Sequence, residues 1–274
     1  MKKEKKKKVK KNKQYKQKRY IPKKAVFGTA DDYYQYSMTF QERLIGAGIG
    51  FAAGAFVTMV FFRNVLVAAL VGAALTVPGM LQYRKFLRDR RLRNLLFQFR
   101  DMMESLSASY SAGKNTQGAF QDACADLAAI YGEKADIVYE LKLMVSGLYN
   151  GQNIETLLEN FGQRSHLDDI ETFATIFEVT SRYGGNLKKV VGETRQIISD
   201  KIETEMEIRT LLTANRNDLN IMIVMPVVLM LMMNGMGDLS VVQNTPANVL
   251  IKLAALALFG GAYYMGRKIV EIKI

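Results

Sequence analysis

The sequence predicts an all-α polytopic membrane protein with four transmembrane helices in two hairpins and a central cytoplasmic helical bundle. Three observations lead there: four apolar stretches stand in two pairs, about 135 polar and charge-rich residues separate the pairs, and no alternating strand pattern of useful length occurs. The expected segments are a basic, largely disordered tail (1–43), a first hairpin (44–81), the bundle (82–216), a second hairpin (217–266) and a short cytoplasmic tail (267–274).

The first pair runs from Leu44 to Phe62 and from Val65 to Leu81, broken by Arg63 and Asn64. The second runs from about Leu219 to Met236 and from about Asn248 to Gly266, with Asp238 and Pro246 between. Each stretch fits the roughly 17–25 residues of helix that cross a hydrocarbon core. Backbone amides in lipid must bond internally, which selects helices. In the first span Gly46, Gly50 and Gly54 form a small-xxx-small ridge that lets another helix approach closely, either the second span through Ala68 and Gly72 or another subunit. Pro226 removes a backbone bond within the third span.

Charge sets the orientation. There are 15 Lys and Arg before the first span and 18 between the second and third, whereas the short loops opposite offer only Arg63, with Lys252 placed to snorkel. The positive-inside rule then puts both termini and the central block in the cytoplasm of a cell (inner) membrane protein. No cleavable signal peptide precedes the first apolar run. The net charge of +12 is carried by the tail: residues 1–24 sum to +13 and the remainder to about −1. A lysine run of that kind beside a membrane fits anionic lipid rather than nucleic acid. Within the block, residues 82–100 are basic (Arg84, Lys85, Arg88, Arg90, Arg91, Arg93 and Arg100), while 101–216 hold 11 basic and 18 acidic residues. The acids Asp122, Asp126, Glu155, Glu159, Asp168, Asp169, Glu171 and Glu178 are the candidate contacts for a basic partner.

The block has a helical period throughout. Leu92, Leu95, Leu96, Phe99, Met102, Met103, Leu106 and Tyr110 extend the second span to about Ser111. Helices are predicted near 116–131, 134–149, 154–163, 166–183 and 187–215, with Phe173, Ile176, Phe177 and Thr180 as one core stripe. Three reversals share a pattern: Gly113 with Asn115, Gly151 with Asn153, and Gly184 and Gly185 with Asn186. In each, glycine suits a left-handed helix end and asparagine suits the next N-cap.

Catalytic chemistry is poorly represented. Gly113-Lys114-Asn115-Thr116 lacks the spacing of a phosphate loop, and Ala108 stands where its first glycine belongs. His166 is the only histidine and has no companion at zinc-ligand spacing. The lone Cys124 excludes an intramolecular disulfide. No Asp or Glu lies within the four apolar cores, as a proton carrier or intramembrane peptidase would need. No enzyme activity, cofactor or metal is expected.

On the order of spans, the long helix from Arg84 leading into Ser-Ala-Gly113, and the stretch from His166 through Tyr183-Gly-Gly-Asn-Leu187 to Leu211-Leu-Thr-Ala-Asn-Arg216, the chain resembles the type II secretion system F family, over about residues 40–266. It is most similar to the TadB-like branch, the inner-membrane platform proteins of tight-adherence (Flp) pilus assembly. The Lys-rich tail departs from that pattern. The resemblance implies a scaffold, homo- or hetero-oligomeric, that works with a cytoplasmic secretion ATPase, a second platform protein of the same family and pilin subunits. A membrane-tethered scaffolding or signalling protein without a filament, and a channel or insertase, are the alternative classes.

Overall fold

The computed structural model describes residues 24–26, 32–62 and 64–235, and eight helical positions beyond (251, 252, 254, 258, 261, 262, 265 and 266). Among the described residues the chain is all-α without strands, in seven helices: α1 (Phe40–Phe62), α2 (Val65–Ser111), α3 (Thr116–Tyr131), α4 (Asp136–Tyr149), α5 (Ile154–Ser165), α6 (Asp168–Arg182) and α7 (Leu187–Gly235). They fall into two compact units, Met1–Gln35 with Leu95–Val190, and Tyr36–Asn94 with Val191–Ile274.

The first unit is a helical bundle. Leu95, Phe99, Met102, Met103 and Leu106 of α2 are fully buried, as are Phe120 of α3, Ile137 and Leu141 of α4, Leu158 and Phe161 of α5, and Phe177 of α6. These are the i, i+3, i+4, i+7 positions of each helix, so a single apolar stripe per helix builds the core. Aromatic rings run through it: Phe161 to Phe99 at 6.3 Å, Phe99 to Phe173 at 5.6 Å, Phe173 to Phe177 at 5.6 Å and Phe177 to Phe120 at 6.3 Å between centroids. Tilted and edge-on pairs of this kind add about 0.5–1.5 kcal/mol each beyond area burial. Helices α5 and α6 approach so closely that a methyl on Gly162 would lie 2.9 Å from Glu171 Cα.

The expected stripe on α6 needs one correction. Ile176 is 43 % exposed, while Ile170, Phe173, Ala174 and Phe177 carry the core face. Three of those four lie within one turn of each other, and Ile176 falls outside their arc at about 100° per residue.

The reversals hold their glycines in the left-handed region: Gly113 at φ 79°, Gly151 at φ 76° and Gly184 at φ 74°. Gly185 keeps a negative φ and donates its N–H to the Thr180 carbonyl at 2.8 Å. Asn115 and Asn186 cap as expected, accepting from Gly118 N–H at 2.8 Å and Lys189 N–H at 3.1 Å. Asn153 occupies the N-cap position of α5 without a side-chain bond, so that cap is formed by backbone geometry alone. Two reversals lie outside the glycine-asparagine pattern: Gly132 ends α3 at φ 80°, and His166 ends α5 in the left-handed region at φ 54°.

In the second unit α1 packs on α2 through glycine. A methyl on Gly50 would stand 2.6 Å from the Leu75 carbonyl oxygen, one on Gly54 would stand 2.7 Å from Leu75 Cδ1, and one on Gly46 would stand 3.1 Å from the Tyr83 ring. The ridge thus meets Gly72, Leu75, Gly79 and Tyr83 of its own chain. Leu44, Ile49 and Phe56 of α1, and Leu66, Leu70 and Val77 of α2, face outward. Both helices are long and apolar enough to cross a membrane, and they are the two described helices that are.

The described residues therefore carry two such helices where four were expected. The third stretch lies inside α7, apolar over Asn220–Met232 and continuous with the helix from Leu187, so that helix runs past the end expected near 215. Pro226 sits within α7 without ending it. The loop at 237–247 and most of the fourth stretch lie outside the described residues. Lys252, expected at an interface, is 9 % exposed.

Candidate functional site

Three places hold the polar groups that a partner could use. The most enclosed is where the segment preceding α1 lies against α4 and α5. Arg164 and Glu140 are both buried, and the guanidinium donates to both carboxylate oxygens, Nη1 to Oε1 at 2.7 Å and Nη2 to Oε2 at 2.5 Å. The Tyr33 hydroxyl donates to the same Oε1 at 2.8 Å, and the Tyr33 N–H donates to the Arg164 carbonyl at 3.1 Å. Arg164 Nε reaches Asn160 Oδ1 at 2.8 Å, and Asn160 Nδ2 donates to the Lys24 carbonyl at 3.0 Å. Val26 N–H donates back to Asn160 Oδ1 at 3.2 Å. A fork-to-fork pair satisfies two buried charges at once, which is what makes such burial tolerable.

Burial, and then the neighbouring Glu140 charge, raise the Tyr33 phenol well above its ordinary range. For Arg164 burial acts downward, but the Glu140 bond more than offsets it and the group is held charged. Beside this clasp Asp32 Oδ1 lies 3.1 Å from His166 Nε2 and accepts Tyr34 N–H at 3.0 Å, with the Tyr34 and His166 rings 5.3 Å apart. The tail expected to be largely disordered over 1–43 thus contains a docked segment: Asp32 and Tyr33 are buried, and α1 starts at Phe40.

The second place is the acidic side of the bundle, which does not form one patch. Asp122 binds Lys114 at 2.5 Å and Ser109 Oγ at 2.9 Å, and those contacts hold its carboxyl below the usual range. Asp126 accepts Ser105 Oγ at 2.6 Å, so these two acids secure α3 to α2. Glu159 accepts from Gln163 at 2.9 Å, and Glu178 pairs with Arg182 at 2.8 Å. Glu155 accepts Ser181 Oγ at 2.6 Å, at the end of the α5–α6 pair where Asn153, Thr156 and Arg182 line a shallow polar cleft. Asp168, Asp169 and Glu171 form the first turn of α6, at the opposite end of that helix. Fifteen residues of helix put about 20 Å between the two ends. There acids meet the positive end of the helix dipole.

The third place is the basic collar of α2. Arg84, Lys85, Arg90 and Arg93 are exposed, and Arg88 and Arg91 are half-buried, all within about three and a half turns of the apolar segment ending at Leu81. Among the described residues no group of three or more His, Cys, Asp or Glu side chains is placed to hold a metal ion. Cys124 is half-buried, and burial raises its thiol above the ordinary value.

No family model matches the chain, and no curated protein or solved structure matches it.

The clasp was missed because its members are 107 and 24 residues apart and none belongs to a periodic pattern. One signal was available: Glu140 and Arg164 stand in the apolar faces of α4 and α5, where a charge demands a partner.

Proposed function

We propose that the chain is a non-enzymatic inner-membrane platform protein of a tight-adherence (Flp) pilus or type II secretion machine, as its resemblance to the F family implies. The observation that carries this reading is the pair of long helices. α2, 47 residues, and α7, 49 residues, each join an apolar segment to the all-α bundle or its flank without a break. A continuous helix transmits force and displacement between bilayer and cytosol better than a jointed one. That is the mechanical requirement for coupling a cytoplasmic ATPase to pilin subunits lifted from the membrane.

In this reading four helices span the membrane in two hairpins and both termini face the cytoplasm. The collar of Arg84 to Arg93 and the Lys-rich tail rest on anionic lipid, each basic residue contributing about 1 kcal/mol near the surface. The acids of the bundle, foremost Asp168, Asp169 and Glu171, face the ATPase, and a second family member completes the platform. The clasp holds Asp32 and Tyr33, in the segment preceding α1, on the bundle.

In-cell cross-linking followed by affinity capture of the full chain tests the reading. Recovery of a hexameric ATPase and of pilins supports it; recovery of neither, with the chain intact in the membrane, overturns it and favours a membrane-tethered scaffold. Protease protection that leaves residues 100–210 accessible only from outside the cell would also sink it.

A further inference from the structure

The clasp encloses more negative charge than positive. The side chains of Asp32, Glu140 and Arg164 are 3 %, 1 % and 3 % exposed, so two buried carboxylates share one guanidinium. Glu140 takes both arms of that guanidinium and the Tyr33 hydroxyl besides. Asp32 feels the Arg164 charge, and its Oδ1 meets the Tyr34 N–H and His166 Nε2. Among the described residues around Asp32, the His166 imidazole is the group able to supply the second positive charge, and at 27 % exposure it exchanges protons with solvent. The elements packed there add Asp136 and Glu140 from α4, Arg164 from α5, Tyr34 from the docked segment, and Asp168 and Asp169 from the first turn of α6. Four of these six are acids, and one is a base.

We propose that Asp32 and His166 form a proton-operated latch, which sets how often the segment preceding α1 opens from the bundle. With the imidazole charged, the two buried carboxylates face two cations, and the 3.1 Å contact is a charge-assisted hydrogen bond. With the imidazole neutral, the buried carboxylates outnumber the cations, and an enclosed charge without full compensation is drawn toward water. Asp32 then takes its neighbour Tyr33 with it. Imidazole is the side chain that changes charge between pH 5 and 8, so the latch tightens as the medium acidifies across that interval and loosens as it turns alkaline. The Tyr33 hydroxyl bond to Glu140 does not depend on that proton, so the docked form stays the major one throughout. The same docked segment includes Lys24 and Val26, held at Asn160, so each opening frees the point at which the basic N-terminal residues leave the bundle. A local charge change that biases a two-state segment is the general form of a pH switch.

This inference rests on the bundle and the segment docked on it, and stands apart from the platform reading. Its test is amide hydrogen exchange on the full-length chain in detergent, read as protection once the intrinsic pH dependence of exchange is divided out. The Tyr33 N–H, bonded to the Arg164 carbonyl, and the Tyr34 N–H, bonded to Asp32, report the docked segment. Amides from Phe99 to Leu106 report the core. From about pH 8 to about pH 6 the Tyr33 and Tyr34 protection is expected to rise about tenfold, as one hydrogen bond to a charged group is gained, while core protection holds. His166→Asn suits the left-handed backbone at that position without ionising in this range, and it should leave protection independent of pH. Asp32→Asn removes the buried charge that calls for the proton, and it should abolish the rise too. Asp168→Asn with Asp169→Asn should keep the rise, which separates the latch from the general acidity around it. Flat protection in the unaltered chain overturns the proposal, and so does a rise that survives in His166→Asn. A core that gains protection in step with the docked segment also overturns it, because the whole unit then responds rather than the latch. Capture of ATPase and pilin plays no part in these readouts, so the platform proposal can fail while this one holds, or the reverse.

Discussion

The bundle and the α1–α2 hairpin solve packing in opposite ways. In the bundle the large residues point inward, Phe99, Phe120, Phe161 and Phe177 among them, and even two opposite charges are enclosed. In the hairpin the large residues point outward and glycines form the contact, with Gly50 and Gly79 at near backbone-to-backbone distance. Water drives the first arrangement, because burying apolar area is favourable at about 25 cal/mol per Å². In a membrane, as proposed, that drive is absent and close van der Waals approach between small residues takes over. The contrast teaches that composition separates the two regions, apolar against charge-rich, while the size of the residue facing the neighbouring helix shows how each one packs.

The sharpest way to break the bundle is to leave one of its charges alone. Glu140→Ala or Arg164→Ala is expected to destabilise it by about 3–5 kcal/mol, read from thermal unfolding in detergent by circular dichroism. Replacing both by methionine should recover most of that loss, because the penalty comes from the uncompensated charge. A double variant no more stable than the singles would mean the pair does more than satisfy itself.

In the hairpin the corresponding break is a larger residue at the contact. Gly50→Leu should cost about 1–3 kcal/mol and separate α1 from α2, because the obstacle is the Leu75 backbone, which cannot rotate away. Loss of a disulfide engineered between the two helices would report it. Gly48→Ala, whose added methyl meets nothing within 4 Å, should leave that disulfide intact.

Alkaline pH separates the two regions by a different route. The folded bundle holds the Tyr33 phenol neutral, whereas an unfolded chain releases that proton near pH 10. The unfolded state therefore binds fewer protons above that pH, and stability is complete below about pH 10 and falls as pH rises. Tyr131, pushed up to about 12 by burial and its bond to Asp101, adds to the same slope between about 10 and 12. Tyr33→Phe should flatten the loss in an alkaline melt series. An unchanged slope would show that the clasp opens before the phenol ionises.

The smallest effect distinguishes the reversals. Asn115→Ala should cost about 1 kcal/mol, because its side chain caps α3, and Asn153→Ala only a few tenths, because its side chain makes no cap bond. Equal melting shifts would contradict that difference.

Much of the bundle was legible in the chain. The helix predicted at 116–131 is α3 to the residue, and the reversals at Gly113, Gly151 and Gly184 lie where their left-handed backbones require. A period of 3.6 leaves neighbouring positions ambiguous at the edge of a stripe, and only the packed neighbour decides that Phe177 is covered and Ile176 is not. The eight candidate acids were readable as acidic, but their separation into α3 ties, an α5–α6 cleft and the first turn of α6 depended on how the helices pair.

By itself the sequence determined what is local: helical period, turn chemistry, apolar length and the sign of charge in each segment. These follow from interactions within a few residues and from the solvent each residue prefers. The tertiary structure decided the Tyr33–Glu140–Arg164 clasp, the glycine contact between α1 and α2, and the exposure of Ile176 on α6. Those contacts join residues far apart in the chain, and nothing short of the packed fold determines which of many compatible partners a buried charge, a glycine or an exposed isoleucine meets.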